Sequence, residues 1–347
     1  MNELRMGVIG AGRMGAFHVE TLEKVDAVEL AAIAEPDEAL ARERIGRRPM
    51  AWFADYRDML SREDIDAVSI CTPSNRHARV ALDAIAAGKH VFVEKPIATM
   101  LQDGLRMGAA AREAGVKLMV GHIERFNPAV AKLADLIAEG RIGQVFRIHA
   151  TRVGPLPTRI LDAGVTIDLA THDLDIMQFV LNQDITSIYA EGSRFQHPSQ
   201  EDMISCLLRF GDGGPMGLLD VNWLTPEKRR ELTVIGEAGM LSASYLTQDV
   251  WFTESATSTT GWDELARVRG DAEGAAVRFA LRRVEPLRAE LEAFASCVID
   301  DTTEPVTANE GCRALAAALA VRDSAANSRP IRLLDMPGVR RPLRAVA

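Results

Sequence analysis

Two rhythms of apolar and polar residues divide the chain. Up to about residue 121, short and nearly continuous apolar runs recur: Leu4 to Ile9, Val28 to Ala34, Asp66 to Ile70, His90 to Val93 and Lys117 to Val120. Runs of this length read as strands buried on both faces, the habit of parallel sheets. Between them the spacing turns helical over Ala16 to Lys24, Asp37 to Ile45, Tyr56 to Leu60, Arg76 to Ala87 and Leu101 to Ala114, with Trp52-Phe53-Ala54 interposed. This alternation predicts a doubly wound parallel sheet. Beyond Pro128 a helix (Ala129 to Glu139), a strand (Gln144 to Arg152), a Gly/Pro loop (Gly154 to Gly164) and a long helix (Val165 to Leu181) come first. Alternating or apolar runs follow at Thr186 to Arg194, Asp202 to Phe210, Met216 to Leu224, Glu231 to Ile235 and Leu241 to Leu246. They predict a large, mostly antiparallel open sheet. Glu254 to Gly274 is polar without a period and is expected to be a loop, and two helices, Pro286 to Val298 and Asn309 to Asn327, finish the chain. The expected fold class is therefore α/β, with a first domain over residues 1–121 and a second α/β domain over 122–347.

Composition narrows the partners. A length of 347 residues suits two cores better than one. A net charge of -9 without a basic patch argues against nucleic acid. The runs Arg47-Arg48, Lys228-Arg229-Arg230 and Arg282-Arg283 are short, flanked by acids, and read as solvated faces. Four scattered cysteines without metal or redox spacing read as reduced thiols of a cytoplasmic protein. The first strand begins too early for a signal peptide, and no apolar stretch approaches the roughly 20 residues that span a bilayer.

Candidate chemistry sits where strands end. The first strand runs into Gly7-Val8-Ile9-Gly10-Ala11-Gly12-Arg13-Met14-Gly15. Between a strand and a helix, Gly10 makes the turn, Gly12 admits a pyrophosphate, and Gly15 lets helix and strand pack closely. The N–H groups of the helix N-terminus then face the phosphates. The second strand ends in Glu35; a carboxylate there suits a ribose 2′-hydroxyl and repels a 2′-phosphate, which favours NAD over NADP. Cys71-Thr72-Pro73-Ser74-Asn75 is a polar turn at another strand end, beside the expected cofactor. The next strand runs into Glu94-Lys95-Pro96, whose lysine is either held near a nicotinamide or an ordinary surface residue. Asp168 and His172, four apart, share one helix face. They read either as a base with its orienting carboxylate or as a solvated ion pair.

Together, Gly10 to Gly15, Cys71-Thr72-Pro73-Ser74-Asn75-Arg76-His77, Glu94-Lys95-Pro96, Arg125-Phe126-Asn127-Pro128 and Asp168 with His172 resemble the glucose-fructose oxidoreductase, inositol dehydrogenase and MocA family over nearly the whole chain. The resemblance implies a Rossmann domain and an α/β domain whose open sheet serves oligomer contacts, hence a homodimer or homotetramer. It implies that Lys95 and His172 are catalytic with Asp168 assisting, and that Thr72, Pro73, Asn75, His77 and Glu94 line the nicotinamide half of the site. Arg13, Met14, Glu35 and Cys71 complete the expected cofactor site. Four stretches, Gly121 to Pro128, Arg152 to Pro155, Ile167 to Asp173 and Glu285 to Glu290, are most similar to UDP-N-acetylglucosamine 3-dehydrogenases.

The expected reaction moves a hydride from a sugar or nucleotide-sugar ring carbon to the nicotinamide while a proton leaves the hydroxyl. His172 is assigned as base and Lys95 as donor to the reacting oxygen; the reverse stays open, because a desolvated lysine titrates near neutrality. Arg125, Asn127 and Arg152, with Lys95 and His172, are the substrate-side candidates, since an arginine fork suits a diphosphate; structural contacts are the competing reading. An inositol, polyol or hexose dehydrogenase, an NAD-retaining glycosidase and a cofactor-binding sensor are the alternatives, the sensor weakened by the presence of both Lys95 and His172.

Overall fold

The computed structural model describes residues 3–157, 164–255 and 274–333. The chain forms two compact units. The first takes residues 1–126 and 284–316, the second 127–283 and 317–347. The boundary drawn from sequence at 121/122 is continuous, whereas the first unit takes back a segment from near the end of the chain.

In the first unit, β1 (Leu4–Ile9), β2 (Val28–Ala34), β3 (Ala51–Phe53), β4 (Ala67–Ile70), β5 (His90–Glu94) and β6 (Leu118–Gly121) form one parallel sheet in the order β3-β2-β1-β4-β5-β6. Met6, Val8, Ile33, Val68, Ile70, Phe92, Val93 and Met119 are buried on both sides of it, which is why these strands read as apolar runs. The order reverses between β1 and β4, so their carboxyl ends open a crevice where doubly wound sheets bind ligands. Helices α1 (Arg13–Leu22), α2 (Glu38–Ile45), α3 (Tyr56–Leu60), α4 (Ser74–Ala86) and α5 (Leu101–Ala114) connect the strands. In α4, His77, Val80, Ala81, Ala84 and Ile85 are buried at the spacing of one helix face. Asp37 caps α2 by accepting the N–H groups of Ala39 and Leu40, so the helix starts one residue inside the expected range. The helix Pro286–Ile299 packs on α1, with Phe294 edge-on to Phe92 at 5.7 Å between ring centroids.

The second unit is built on nine strands. They are β7 (Val145–Pro155), β8 (Ile185–Ser193), β9 (Met203–Phe210), β10 (Met216–Asn222), β11 (Leu224–Gly236), β12 (Gly239–Ser244), β13 (Asp249–Glu254), β14 (Ala276–Phe279) and β15 (Ile331–Arg332). Their order is β14-β13-β12-β11-β7-β10-β9-β8-β15, antiparallel except for β7 with β10. Ile148, Ala150, Leu208, Leu219, Leu232 and Leu241 face a buried side, where α6 (Pro128–Ala138) and α7 (Thr171–Leu181) pack. On the other side the pairing register aligns Tyr189, Leu207, Leu218, His149, Thr233, Ser242 and Trp251 in one row across the sheet.

Several boundaries differ from the sequence pattern. Strand β7 continues to Pro155, into the start of the expected Gly/Pro loop; residues 158–163 of that loop and 256–273 of the expected polar loop lie outside the described residues. Strand β11 begins at Leu224 because Lys228-Arg229-Arg230 lies within it, in an exposed stretch whose register shifts against β7. Such a polar run shows no alternation. The strands β13, β14 and β15 were likewise outside the expected set.

Candidate active site

The glycine turn follows from β1. Gly10 has φ +97, and a Cβ there would lie 2.9 Å from the Cys71 carbonyl oxygen, so both backbone conformation and crowding require glycine. A Cβ on Gly15 would lie 1.9 Å from the Gly10 carbonyl oxygen, which ties helix to turn. Among the described residues, a Cβ at Gly12 would meet nothing within 4 Å, and no side chain caps the first N–H groups of α1. An exposed glycine beside open donors fits a pyrophosphate. Arg13 and Met14 are exposed at the head of the same helix.

Glu35 ends β2 beside this turn. One carboxylate oxygen accepts the Ala11 N–H at 2.8 Å and the other the Asp37 N–H at 3.2 Å. The carboxylate is half-buried and oriented by the backbone, as a ribose acceptor must be. Trp52 Nε1 holds the Glu35 carbonyl at 3.0 Å.

The ends of β4 and β5 supply the next groups. Cys71 is buried, Thr72 half-buried, and Pro73 and Asn75 are exposed. Thr72 Oγ1 is buried and meets no hydrogen-bond partner among the described residues. His77 is 1% exposed, its ring nitrogens 2.8 Å from the carbonyl oxygens of Pro96 and Thr72. Burial pushes its pKa down despite both carbonyls. His77 thus braces the turn carrying Thr72 against the segment following Lys95, whose peptide bond to Pro96 is cis. Glu94 is 8% exposed and accepts the Lys95 N–H at 3.1 Å, and Lys95 is half-buried.

Sequence reasoning missed His18 as a partner of this cluster. It is fully buried on α1, with Ser69 Oγ 2.8 Å from Nδ1 and Glu94 Oε1 2.9 Å from Nε2. Its position just after the glycine turn was the available signal.

In the second unit, the expected single helix has two parts. Thr166–Ala170 is a π-helical turn, and α7 follows it. The Thr171 hydroxyl donates to the Ile167 carbonyl at 3.0 Å, and Glu201 accepts the Thr166 N–H at 3.3 Å. Such turns are rare and frequent at functional sites. Asp168 lies in the π turn and His172 in the first turn of α7, both half-buried.

The three substrate-side candidates, Arg125, Asn127 and Arg152, each make contacts inside the protein. Arg125 donates to Glu310 at 2.9 Å and is 8% exposed. Asn127 caps α6 through the Ala129 N–H and donates to the Tyr245 carbonyl at 3.1 Å. Arg152, 2% exposed, meets the fully buried Asp173 at two points, 2.5 and 3.2 Å, with the Tyr245 ring beside its guanidinium. Contacts of this kind are what the competing, structural reading of these three residues expects.

Comparison with known proteins adds the following. Residues 4–122 match the model of an oxidoreductase family with an NAD-binding Rossmann fold, and residues 130–242 match the GFO/IDH/MocA C-terminal domain. The chain is 26% identical to myo-inositol 2-dehydrogenase of Thermotoga maritima, covering 96% of this chain and 100% of that one. It is 27% identical to UDP-N-acetylglucosamine 3-dehydrogenase of Acidithiobacillus ferrooxidans, covering 93% and 97%. A solved structure of the latter enzyme superposes with a TM-score of 0.81 at 25% identity, covering 94% of this chain and 99% of that one.

Proposed function

The chain belongs to the glucose-fructose oxidoreductase, inositol dehydrogenase and MocA family of NAD-binding oxidoreductases, and we propose that it oxidises a ring hydroxyl of a nucleotide sugar, a UDP-N-acetylhexosamine at carbon 3. The observation that carries this substrate is the UDP-N-acetylglucosamine 3-dehydrogenase relative, which aligns over nearly the full length of both chains. NAD, when bound, supplies the hydride acceptor. His172 takes the hydroxyl proton, and Asp168, in the preceding π turn, sets its tautomer. Lys95 donates to the reacting oxygen and offsets the charge that develops there. The oriented Glu35 carboxylate supports NAD over NADP, since a 2′-phosphate brought to it is repelled.

Two features of the setting belong to the same proposal. The four cysteines are buried free thiols, which suits a reducing, cytoplasmic location; no described helix is long and apolar enough to cross a membrane. The row on the second sheet that the described residues leave exposed is where a second copy of the chain would dock, giving a homodimer or a tetramer built from it.

The inositol relatives favour a second reading, a cyclitol dehydrogenase using the same residues, because one of them aligns over its whole length. Absorbance of NADH separates the two when the protein is mixed with NAD and, in turn, UDP-N-acetylglucosamine, other nucleotide sugars, myo-inositol and free hexoses. The nucleotide-sugar reading expects a stoichiometric signal with nucleotide sugars alone. A signal confined to inositol or hexose overturns it, and silence with every substrate counts against a net dehydrogenase. Repeating the positive reaction with NADP should give the weaker rate.

A further inference from the structure

Lys95 projects from a backbone that one buried chain of polar groups holds. Behind the glycine turn, Ser69 Oγ lies 3.7 Å from Cys71 Sγ and 2.8 Å from His18 Nδ1; His18 Nε2 lies 2.9 Å from Glu94 Oε1; and Glu94 Oε2 accepts the Lys95 N–H at 3.1 Å. This chain crosses from the end of β4 to the end of β5. We propose that His18 is a positioning residue for the reaction: it occupies the Glu94 carboxylate, fixes the backbone from which Lys95 projects, and keeps that carboxylate from capturing the Lys95 ammonium. The inference rests on the reading of Lys95 as the group that meets the reacting oxygen.

A filler of the space beside Phe92 need not be polar. An apolar side chain at position 18 would pack against the Phe92 ring, whose centroid is 5.5 Å from that of His18. What requires a hydrogen-bond donor at position 18 is Glu94. A carboxylate this deeply enclosed is stable only when paired and hydrogen-bonded. The Lys95 N–H satisfies one of its oxygens and His18 the other. The remaining charged or titratable neighbours that act on Glu94 are the Lys95 ammonium and His77, and His77 is already committed to two backbone carbonyls. If His18 loses its donor, the carboxylate turns to Lys95 or takes up a proton. Either outcome changes the lysine that the reaction needs. Burial disfavours a charged ring at His18, but Cys71 and Glu94 outweigh it and hold its pKa well above the ordinary value. Burial likewise opposes ionisation of Glu94, and the His18 hydrogen bond outweighs it.

The test compares His18→Met, which keeps bulk and removes the donor, with His18→Gln, which keeps an N–H where Nε2 now sits. Two readouts are taken on the full-length protein. One is the rate at which acetic anhydride acylates Lys95, measured by peptide mass spectrometry against the exposed Lys24. The other is kcat, KM and NADH affinity with UDP-N-acetylglucosamine or myo-inositol, whichever is turned over. His18→Met is expected to change Lys95 acylation several-fold relative to Lys24. It should also lower kcat by about ten- to a hundredfold while KM and NADH affinity stay within about twofold. His18→Gln is expected to recover most of both. A folded His18→Met protein with wild-type Lys95 acylation overturns the proposal, and so does a kcat loss that His18→Gln fails to reverse. If His18→Met does not fold, Glu94→Gln decides, because wild-type acylation of Lys95 there removes the carboxylate from the argument. If neither compound is oxidised by the wild type, the substrate reading fails and the acylation readout alone still decides the role of His18.

Discussion

Arg152 and Asp173 form a two-point ion pair buried from water, in which each charge offsets the cost of burying the other. Arg152→Met removes the two-point Arg152 contact from the buried Asp173, and about 3–5 kcal/mol of stability should be lost. Arg152→Met with Asp173→Leu should recover much of that loss, because an apolar pair of similar volume is often neutral. Urea unfolding of the two proteins checks this; an unchanged midpoint in Arg152→Met would show that the pair contributes nothing. Lys95 and His172 call for the opposite pattern. Lys95→Met and His172→Asn should each lower kcat at least about a hundredfold with NADH affinity nearly intact, as measured by stopped-flow absorbance and fluorescence titration. Near-normal turnover removes that residue from the mechanism. At this scale, what could be read from the sequence was what depends on near neighbours: Gly10, Gly12 and Gly15 declare their turn within six residues. The partners of Arg152, His18 and Arg125 lie 21, 76 and 185 residues away, and residue type alone does not tell a buried pair from a ligand contact.

The start of the helix Ala308–Asn327 shows an element doing two tasks. Thr307 and Glu310 form a capping box: the Glu310 carboxylate accepts the Thr307 N–H at 2.9 Å, and the Thr307 hydroxyl accepts the Glu310 N–H at 3.3 Å. The other Glu310 oxygen takes Arg125. Burial opposes this carboxylate, but Arg125 and the cap outweigh it and hold its pKa at about 2. The folded pKa thus lies below that of the unfolded chain, so the contribution is complete above about pH 4.5 and disappears as pH falls toward 2. It is worth up to about 3 kcal/mol. Glu310→Gln should be less stable than wild type at pH 7, and the gap should close as pH is lowered from 5 to 3. Thermal melts at the two pH values decide it, and a gap independent of pH would deny the carboxylate this role. Elements were legible where one physical signal dominates. The parallel strands bury both faces and show as apolar runs, whereas β11 begins in exposed basic residues and the π turn before His172 uses residues that suit an ordinary helix.

For the whole molecule, one face of the second sheet stands exposed among the described residues. Leu207 is 50% exposed, Trp251 43% and Met240 36%, all on that face. Nine strands at about 4.8 Å spacing and roughly 20 Å length make an area near 800 Å², what one partner contributes to a standard stable interface. The charges on this face lie in two opposed rows. On one side of the central row, the register sets Arg209 and Arg147 with Met216, Ile235 and Met240; on the other it sets Glu191, Asp220 and Glu231 with Ser205 and Thr151. In a dimer of the kind proposed above, a two-fold axis along the central row would lay one copy's basic row over its partner's acidic row and Leu207 and Leu218 over themselves. Changing both Leu207 and Leu218 to glutamate puts like charges at the axis and should convert the assembly to a lower mass in light scattering at micromolar concentration. Changing Arg209 to glutamate together with Asp220 to arginine should preserve more assembly than either change alone, since the exchange restores opposite charges across the axis. If the wild type already scatters as a monomer, or if the double glutamate protein keeps its mass, this face is not where two copies meet.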